Sequence, residues 1–304
     1  MISKRYFEIF RFWSIILFLA LFAFSSCKNN TETDDSVWHS RPLPGLISIP
    51  KASKLQKEKF NAEALADSFI LGMNGNRHIM YECCNREFLD EIIMPAILPY
   101  TPKLREMSYA EIVNEVTIFT FQIYQHYFGS SFYRWAGDIF DLDDAQPTGI
   151  EIKRRYGLDC SGFSSAPYEI AVYAGLIPDS IALFSTQGFK IYCQMTGFRD
   201  EGALDGGGNR FRLDTRELDL LGDELFRIAK NGTPSDKEIA LLQPGDIVGR
   251  NGHFGIIAFL NGEAYYFESG GWVVPVNGGN PVKAKAAMKK FAQNGYLTIR
   301  RCLN

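Results

Sequence analysis

Two stretches of this chain hold residues whose types could do nucleophilic chemistry. The first is Tyr156-Gly157-Leu158-Asp159-Cys160-Ser161-Gly162-Phe163, which runs on without a break to Gly175. A thiol at position 160 becomes a useful nucleophile only if its surroundings favour the thiolate or place a base beside it. Small neighbours, Ser161 and Gly162, would let a substrate carbonyl approach both the thiol and nearby backbone N–H groups. The second stretch is Asn251-Gly252-His253-Phe254-Gly255, followed by an apolar run to Leu260 and then by Asn261-Gly262. It supplies the imidazole that a thiol needs as general base. An average cysteine is a small buried apolar residue, and a lone histidine is usually a satisfied core residue. The presence of both stretches in one chain argues for a Cys-His pair.

The elements that must position these groups can be derived from local pattern. Phe163, Ile170 and Ala174 recur near a 3.6-residue period and Gly175 fits a C-terminal stop, so a helix is predicted to begin at or just after Cys160. The helix dipole and its first N–H groups would then lower the thiol's pKa. Pro167 falls inside that helix and is expected to remove a hydrogen bond and kink its first turns. Asn261-Gly262 signals a two-residue hairpin loop between the strand ending at Leu260 and a return strand from Glu263 to Phe267. That loop pairs Leu260 with Glu263, Gly255 with Glu268 and His253 with Gly270. Side chains alternate faces along a strand, so His253, Gly255, Glu268 and Gly270 share one face, while Tyr265 and Ser269 take the other. Glu268 is then diagonal to His253, about 7–8 Å away at Cα and within reach of a long side chain. It is expected to accept a hydrogen bond from the imidazole and hold its tautomer, with Asn277 in reserve.

These residues resemble the signature of the NlpC-type cell-wall cysteine peptidases, a papain-like group that cuts peptidoglycan stem peptides. The resemblance rests on Asp159-Cys160-Ser161-Gly162-Phe163, on Gly252-His253-Phe254-Gly255-Ile256 and on Leu242-Gln243-Pro244-Gly245-Asp246, and spans Phe132 to about Phe267. Phe132-Tyr133-Arg134-Trp135-Ala136-Gly137 is similar to the Tyr-x-Trp-Gly-Gly stretch that precedes the nucleophile in many members, with Ala136 where a glycine is common. The third catalytic position in the family is polar, often His, Asn or Gln, so Glu268 is a departure, though a chemically suitable one. The resemblance implies an α+β fold, with a helix carrying Cys160 packed on a small antiparallel β-barrel carrying His253 and Glu268. It implies a Cys160-His253-Glu268 triad, with Tyr133, Asp159 and Ser161 at the substrate. The expected reaction is hydrolysis of a γ-D-glutamyl–diamino acid bond, which needs no metal or cofactor. Another thiol-dependent amidase or acyltransferase on the same fold, or an inactive wall-binding lipoprotein, are the competing readings.

The rest of the chain sets the context. Its 304 residues are 46% apolar and 22% charged, a globular composition with a formal charge of −3 and nothing to suggest a nucleic-acid partner. Lys4, Arg5 and Arg11 precede a 13-residue apolar run, Phe12 to Phe24, which fits an export signal and is short for a membrane span. Ser25-Ser26-Cys27 then resembles a bacterial lipobox, with Phe24 where leucine is usual. Cys27 would be acylated and would anchor the protein in the cell envelope, periplasmic or at the outer membrane. Residues 28–55, with Pro42, Pro44 and Pro50, read as a linker. Residues 56–130 are expected to be a helical accessory region. Lys57 to Leu71 reads as an amphipathic helix, and a capping box at Ser108 and Glu111 opens a second helix. Residues 131–304 are then the catalytic domain, with an insertion at about 196–240 in which Asp214 to Lys230 reads as a helix. An oxidising compartment would permit Cys83 or Cys84 to pair with Cys193 or Cys302.

Overall fold

The computed structural model of the chain describes residues 43–61, 68–73, 76–81, 85–129, 132–134, 137–139, 155–178, 184–185, 212–213, 222–250, 252–269 and 280–303. All lie in one compact unit, Trp38–Asn304; the other unit, Met1–Val37, falls outside the described residues, and with it the export signal and Cys27. Asn277, Cys83, Cys84 and Cys193 also lie outside them.

The chain opens with a short helix, α1 (Lys54–Lys59), capped by Ser53 and Gln56. A hairpin follows, β1 (Ser68–Met73) against β2 (Asn76–Tyr81), with Met73 paired to Asn76. The helix predicted from Lys57 to Leu71 therefore ends at Lys59, and 68–71 is strand; residues 62–67 lie outside the described residues. Phe69, Ile70 and Leu71 suit a strand as well as a helix face, and Asn74-Gly75, which separates the paired residues, is the hairpin signal that settles the ambiguity. Residues 85–104 form a run of short helical turns. Pro95, Pro99 and Pro102 punctuate it, since none can donate to the carbonyl one turn back. Helix α2 (Tyr109–Phe128) begins at the predicted capping box, where Ser108 and Glu111 bond reciprocally. Helix α3 (Cys160–Tyr173) follows the pattern read from the sequence and ends before Gly175 at φ +64°. It runs unbroken through Pro167.

Two short strands, β3 (Phe184–Ser185) and β4 (Arg212–Leu213), pair in parallel. The main sheet holds β5 (Asp223–Ile228), β6 (Ile247–Arg250), β7 (His253–Leu260), β8 (Glu263–Phe267), β9 (Val282–Lys283) and β10 (Leu297–Arg301) in the order β5-β10-β6-β7-β8-β9. Every pairing in it is antiparallel. Among the described residues it is a six-stranded antiparallel sheet with β5 and β9 at its ends, the coarse form of the small antiparallel barrel expected. Asp223–Ile228 had been expected to be helical. It is instead an edge strand, and its Glu224 ties to Arg300 of the neighbouring β10 as well as to Arg227. Two small helices complete the unit, α4 (Asp236–Ile239) and α5 (Ala284–Ala292).

Alternation along the strands sends side chains to two cores. Ile247, Phe254, Ile256, Ala258, Tyr265 and Phe267 join α2 and α3 on one face. Val248, Ile257, Tyr266, Leu297 and Ile299 join Met288 and Phe291 of α5 on the other. Four rings tie the first core together: Phe121 of α2 contacts Phe132 (5.8 Å), Phe163 of α3 (6.0 Å) and Phe267 of β8 (5.2 Å). Each such aromatic pair adds about 0.5–1.5 kcal/mol to the burial of the rings. The Pro244-Gly245-Asp246 turn is a structural joint: Tyr168 of α3 donates to the Gly245 carbonyl at 2.6 Å, and Arg301 grips the buried Asp246 carboxylate at 2.9 and 2.8 Å.

Candidate active site

Cys160 is the first residue of α3, preceded by Asp159 as N-cap in extended backbone (φ −80°, ψ −171°). The Asp159 Oδ1 accepts from the Gly162 N–H at 2.7 Å and from the Ser161 hydroxyl at 2.9 Å. Asp159 and Ser161, two of the three residues that the resemblance assigned to substrate contact, are thus engaged in holding the helix start. The strand-like segment before the helix is fixed on its other side by residues 132–137. Tyr133 and Leu158 form a parallel bridge, Leu158 N–H donates to Phe132 O at 3.1 Å and Asp159 N–H to Gly137 O at 3.0 Å. The approach is so close at Gly162 that any Cβ there would strike the Gly137 carbonyl. Ser269, just beyond β8, donates to the Leu158 carbonyl and ties the second stretch to the first.

One residue of this frame comes from far upstream. Asn85 is fully buried, and its amide nitrogen donates to the carbonyls of Asp138 (2.9 Å) and Gly157 (2.6 Å). Its oxygen accepts from Gly157 N–H at 3.1 Å and from the Tyr124 hydroxyl at 3.3 Å. A single side chain therefore satisfies the loop on both sides of the nucleophile's approach. Nothing in the local sequence around Asn85 signals this role.

His253 is the first residue of β7 and Glu268 the first after β8. The observed pairs, Leu260 with Glu263 through Ile256 with Phe267, carry the predicted register. The imidazole Nε2 and Glu268 Oε2 lie 2.5 Å apart, both side chains buried. Tyr265 faces the α2–α3 core, as alternation required. Tyr266 was passed over, yet the same alternation puts it beside Glu268, and its hydroxyl donates to Oε2 at 3.2 Å. The His253 ring rests edge-on against Phe291 at 5.4 Å.

The thiol reaches the start of β7 through Phe254, the neighbour of His253. Backbone N–H groups of Phe254, Ser161 and Cys160 itself hydrogen-bond the sulfur, and Phe254 is the residue after His253. These bonds favour the thiolate, as the sequence led one to expect. They are outweighed: burial, and then the Asp159 charge, push the Cys160 thiol up to about 12. Cys160 is 8% exposed, and in so dry a site the loss of hydration exceeds what three N–H dipoles return. The expected lowering is thus reversed, and the proton rests on sulfur. Burial, with Asp159 and Cys160 nearby, likewise pushes the Tyr133 phenol up, so this half-buried ring sits within electrostatic reach of the thiol and keeps its proton. Beneath the site, burial and the neighbouring Glu169 of α3 hold the Asp138 carboxyl well above the usual carboxylate range. Among the described residues no group of three or more His, Cys, Asp or Glu could hold a metal ion.

Comparison with protein-family models, with characterised proteins and with solved structures returns no match for this chain.

Proposed function

We propose that this chain is a cysteine peptidase of the NlpC type on a papain-like fold, acting on the stem peptides of peptidoglycan at a γ-D-glutamyl–diamino acid bond. The observation that supports it most is the convergence of two distant stretches: a thiol on the first residue of a helix, bonded by the N–H of Phe254, whose chain neighbour His253 has its Nε2 held by a carboxylate. With Nε2 engaged by Glu268, Nδ1 is the nitrogen that takes the thiol's proton.

Because the thiol is pushed up to about 12, general-base transfer is the favoured course over a resting ion pair. His253 removes the proton as sulfur attacks the carbonyl carbon. The oxyanion forms beside the backbone N–H of Cys160 and within reach of the Tyr133 hydroxyl. The imidazolium then protonates the departing amine, leaving a thioester. Water, deprotonated by His253, releases the acid and restores the thiol. On this reading Asp159 and Ser161 border the substrate from the helix start, and a lipid on Cys27 anchors the enzyme in the bacterial envelope next to its polymer.

The test is a digest of purified muropeptides by the wild-type chain and by Cys160→Ser, with the fragments weighed by mass spectrometry. A new amine and carboxyl at the γ-D-glutamyl bond, absent with the serine variant, are expected. Intact muropeptides with a folded wild-type protein would discard the substrate assignment. Release of ammonia or transfer of an acyl group, dependent on Cys160, would move the protein to the amidases or acyltransferases.

A further inference from the structure

The β7–β8 hairpin presents four positions to the α5 face: His253 and Gly255 from β7, Tyr266 and Glu268 from β8 and its end. They form a chain of contacts. His253 Nε2 and the Tyr266 hydroxyl both meet Glu268 Oε2, at 2.5 and 3.2 Å. A carboxylate oxygen has two lone pairs, so both positions on Oε2 are spoken for. The phenol ring that delivers the hydroxyl is 2% exposed and packs on Phe291 at 6.2 Å. It lies directly over Gly255, where any Cβ would overlap the ring. Gly255 therefore provides the space through which Tyr266 reaches Glu268, and the ring has no second place to go. Burial, then the Glu268 charge, hold the phenol's proton on well above its ordinary range, so Tyr266 acts as the donor at every working pH.

We propose that Tyr266 is a positioning residue of the site, fixing which Glu268 oxygen faces the imidazole and drawing off part of its charge, and so setting the pH range in which His253 accepts the thiol's proton. The proposal rests on the reading of Cys160 and His253 as nucleophile and base. Its chemical logic is charge dispersal. With the phenol removed, the carboxylate's charge concentrates on the oxygen that faces the ring. The imidazolium is then held more firmly, and the base becomes available only at higher pH.

The probe is iodoacetamide. Alkylation of Cys160 in the full chain is followed by peptide mass analysis across the range in which imidazoles and thiols titrate. Four proteins are compared: wild type, Tyr266→Phe, Glu268→Gln and the double variant. Phenylalanine keeps the ring and its packing, so the melting temperature should hold. The acid limb of the alkylation profile is expected to move up by about half to one pH unit, a fraction of the roughly one to two units that a hydrogen bond to a charged group is worth, because the effect reaches the imidazole through the carboxylate. In the Glu268→Gln background the same change at Tyr266 should have no further effect. A Tyr266→Phe profile that superimposes on the wild type overturns the proposal, whether or not the melting temperature falls. So does a shift that persists without the carboxylate. His253→Ala separates the two levels: a wild-type profile indifferent to His253 defeats the nucleophile–base reading itself, whereas dependence on His253 without dependence on Tyr266 defeats only the role of Tyr266.

Discussion

The thiol of Cys160 is held between opposed influences, and their sizes decide how it would react. Three backbone N–H groups draw its electrons, while burial and the Asp159 carboxylate resist a second negative charge and win, leaving the proton on sulfur. On the proposed mechanism the imidazole is then indispensable to attack, and so is whatever orients it. Glu268→Ala should lose about tenfold to a thousandfold in kcat/KM, the range of a misoriented general base, and Glu268→Gln, which keeps a hydrogen bond, should lose less. Tyr265→Phe should be nearly silent in the same steady-state assay, because that ring lies in the opposite core. This contrast was legible in the sequence: Asn261-Gly262 fixes the register, and alternation does the rest. The same arithmetic reaches Tyr266 one residue further along, so its omission was a failure to finish the count. The charge state of the thiol was not legible. A helix N-terminus argues for the thiolate, and only the depth of burial, which no local pattern carries, reverses the sign.

At the scale of elements, the site depends on how α3 is seated. Asn85 is 72 residues from Gly157 and bonds both its N–H and its carbonyl. Asn85→Ala should therefore cost about 2–4 kcal/mol in urea unfolding, since it strands buried backbone groups as well as losing its own bonds. Catalysis should weaken further, as the loop before Cys160 loses its brace. Glu169 and Asp138 offer a second handle. The folded protein binds a proton at Asp138 that the unfolded chain releases above its ordinary value of 3.8. The associated stability is fully present below that pH and is lost as the pH climbs toward the raised folded value. Asp138→Asn keeps an acceptor for the Ile139 N–H, bonded at 2.6 Å, and is neutral beside Glu169 without taking up a proton. It should flatten the decline and raise neutral-pH stability by about 1 kcal/mol or more, measured by unfolding at acid and neutral pH. Of the elements themselves, α2 and α3 were readable because capping residues and 3.6-residue spacing agree. The segments 57–71 and 214–230 misled because short apolar runs with mixed charges fit either period. In β5 it is pairing with β10, far along the chain, that decides.

At the scale of the whole molecule, Asn85 and helix α2 pack into the core that seats Cys160. Phe121 and Tyr124 of α2 build the floor under Phe132 and Phe163, and Asn85 reaches through it. No helix among the described residues is long and apolar enough to cross a membrane. The lipobox-like Ser25-Ser26-Cys27 makes the lipid anchor a separate proposal with its own test. Cys27→Ala should abolish palmitate labelling and shift the protein to a soluble or unprocessed form, and an unlabelled wild type would defeat the anchor. The burial of Cys160 bears on how long such a protein lasts in place. Peroxides and other oxidants consume thiolates, carrying them through sulfenic acid to forms that no longer turn over. Outside the cytosol, with no reducing pool to repair it, a nucleophile that surrenders its proton only in the act of attack is shielded between encounters with substrate. If Cys160 is the nucleophile proposed above, the 8% exposure that slows its ionisation also conserves it.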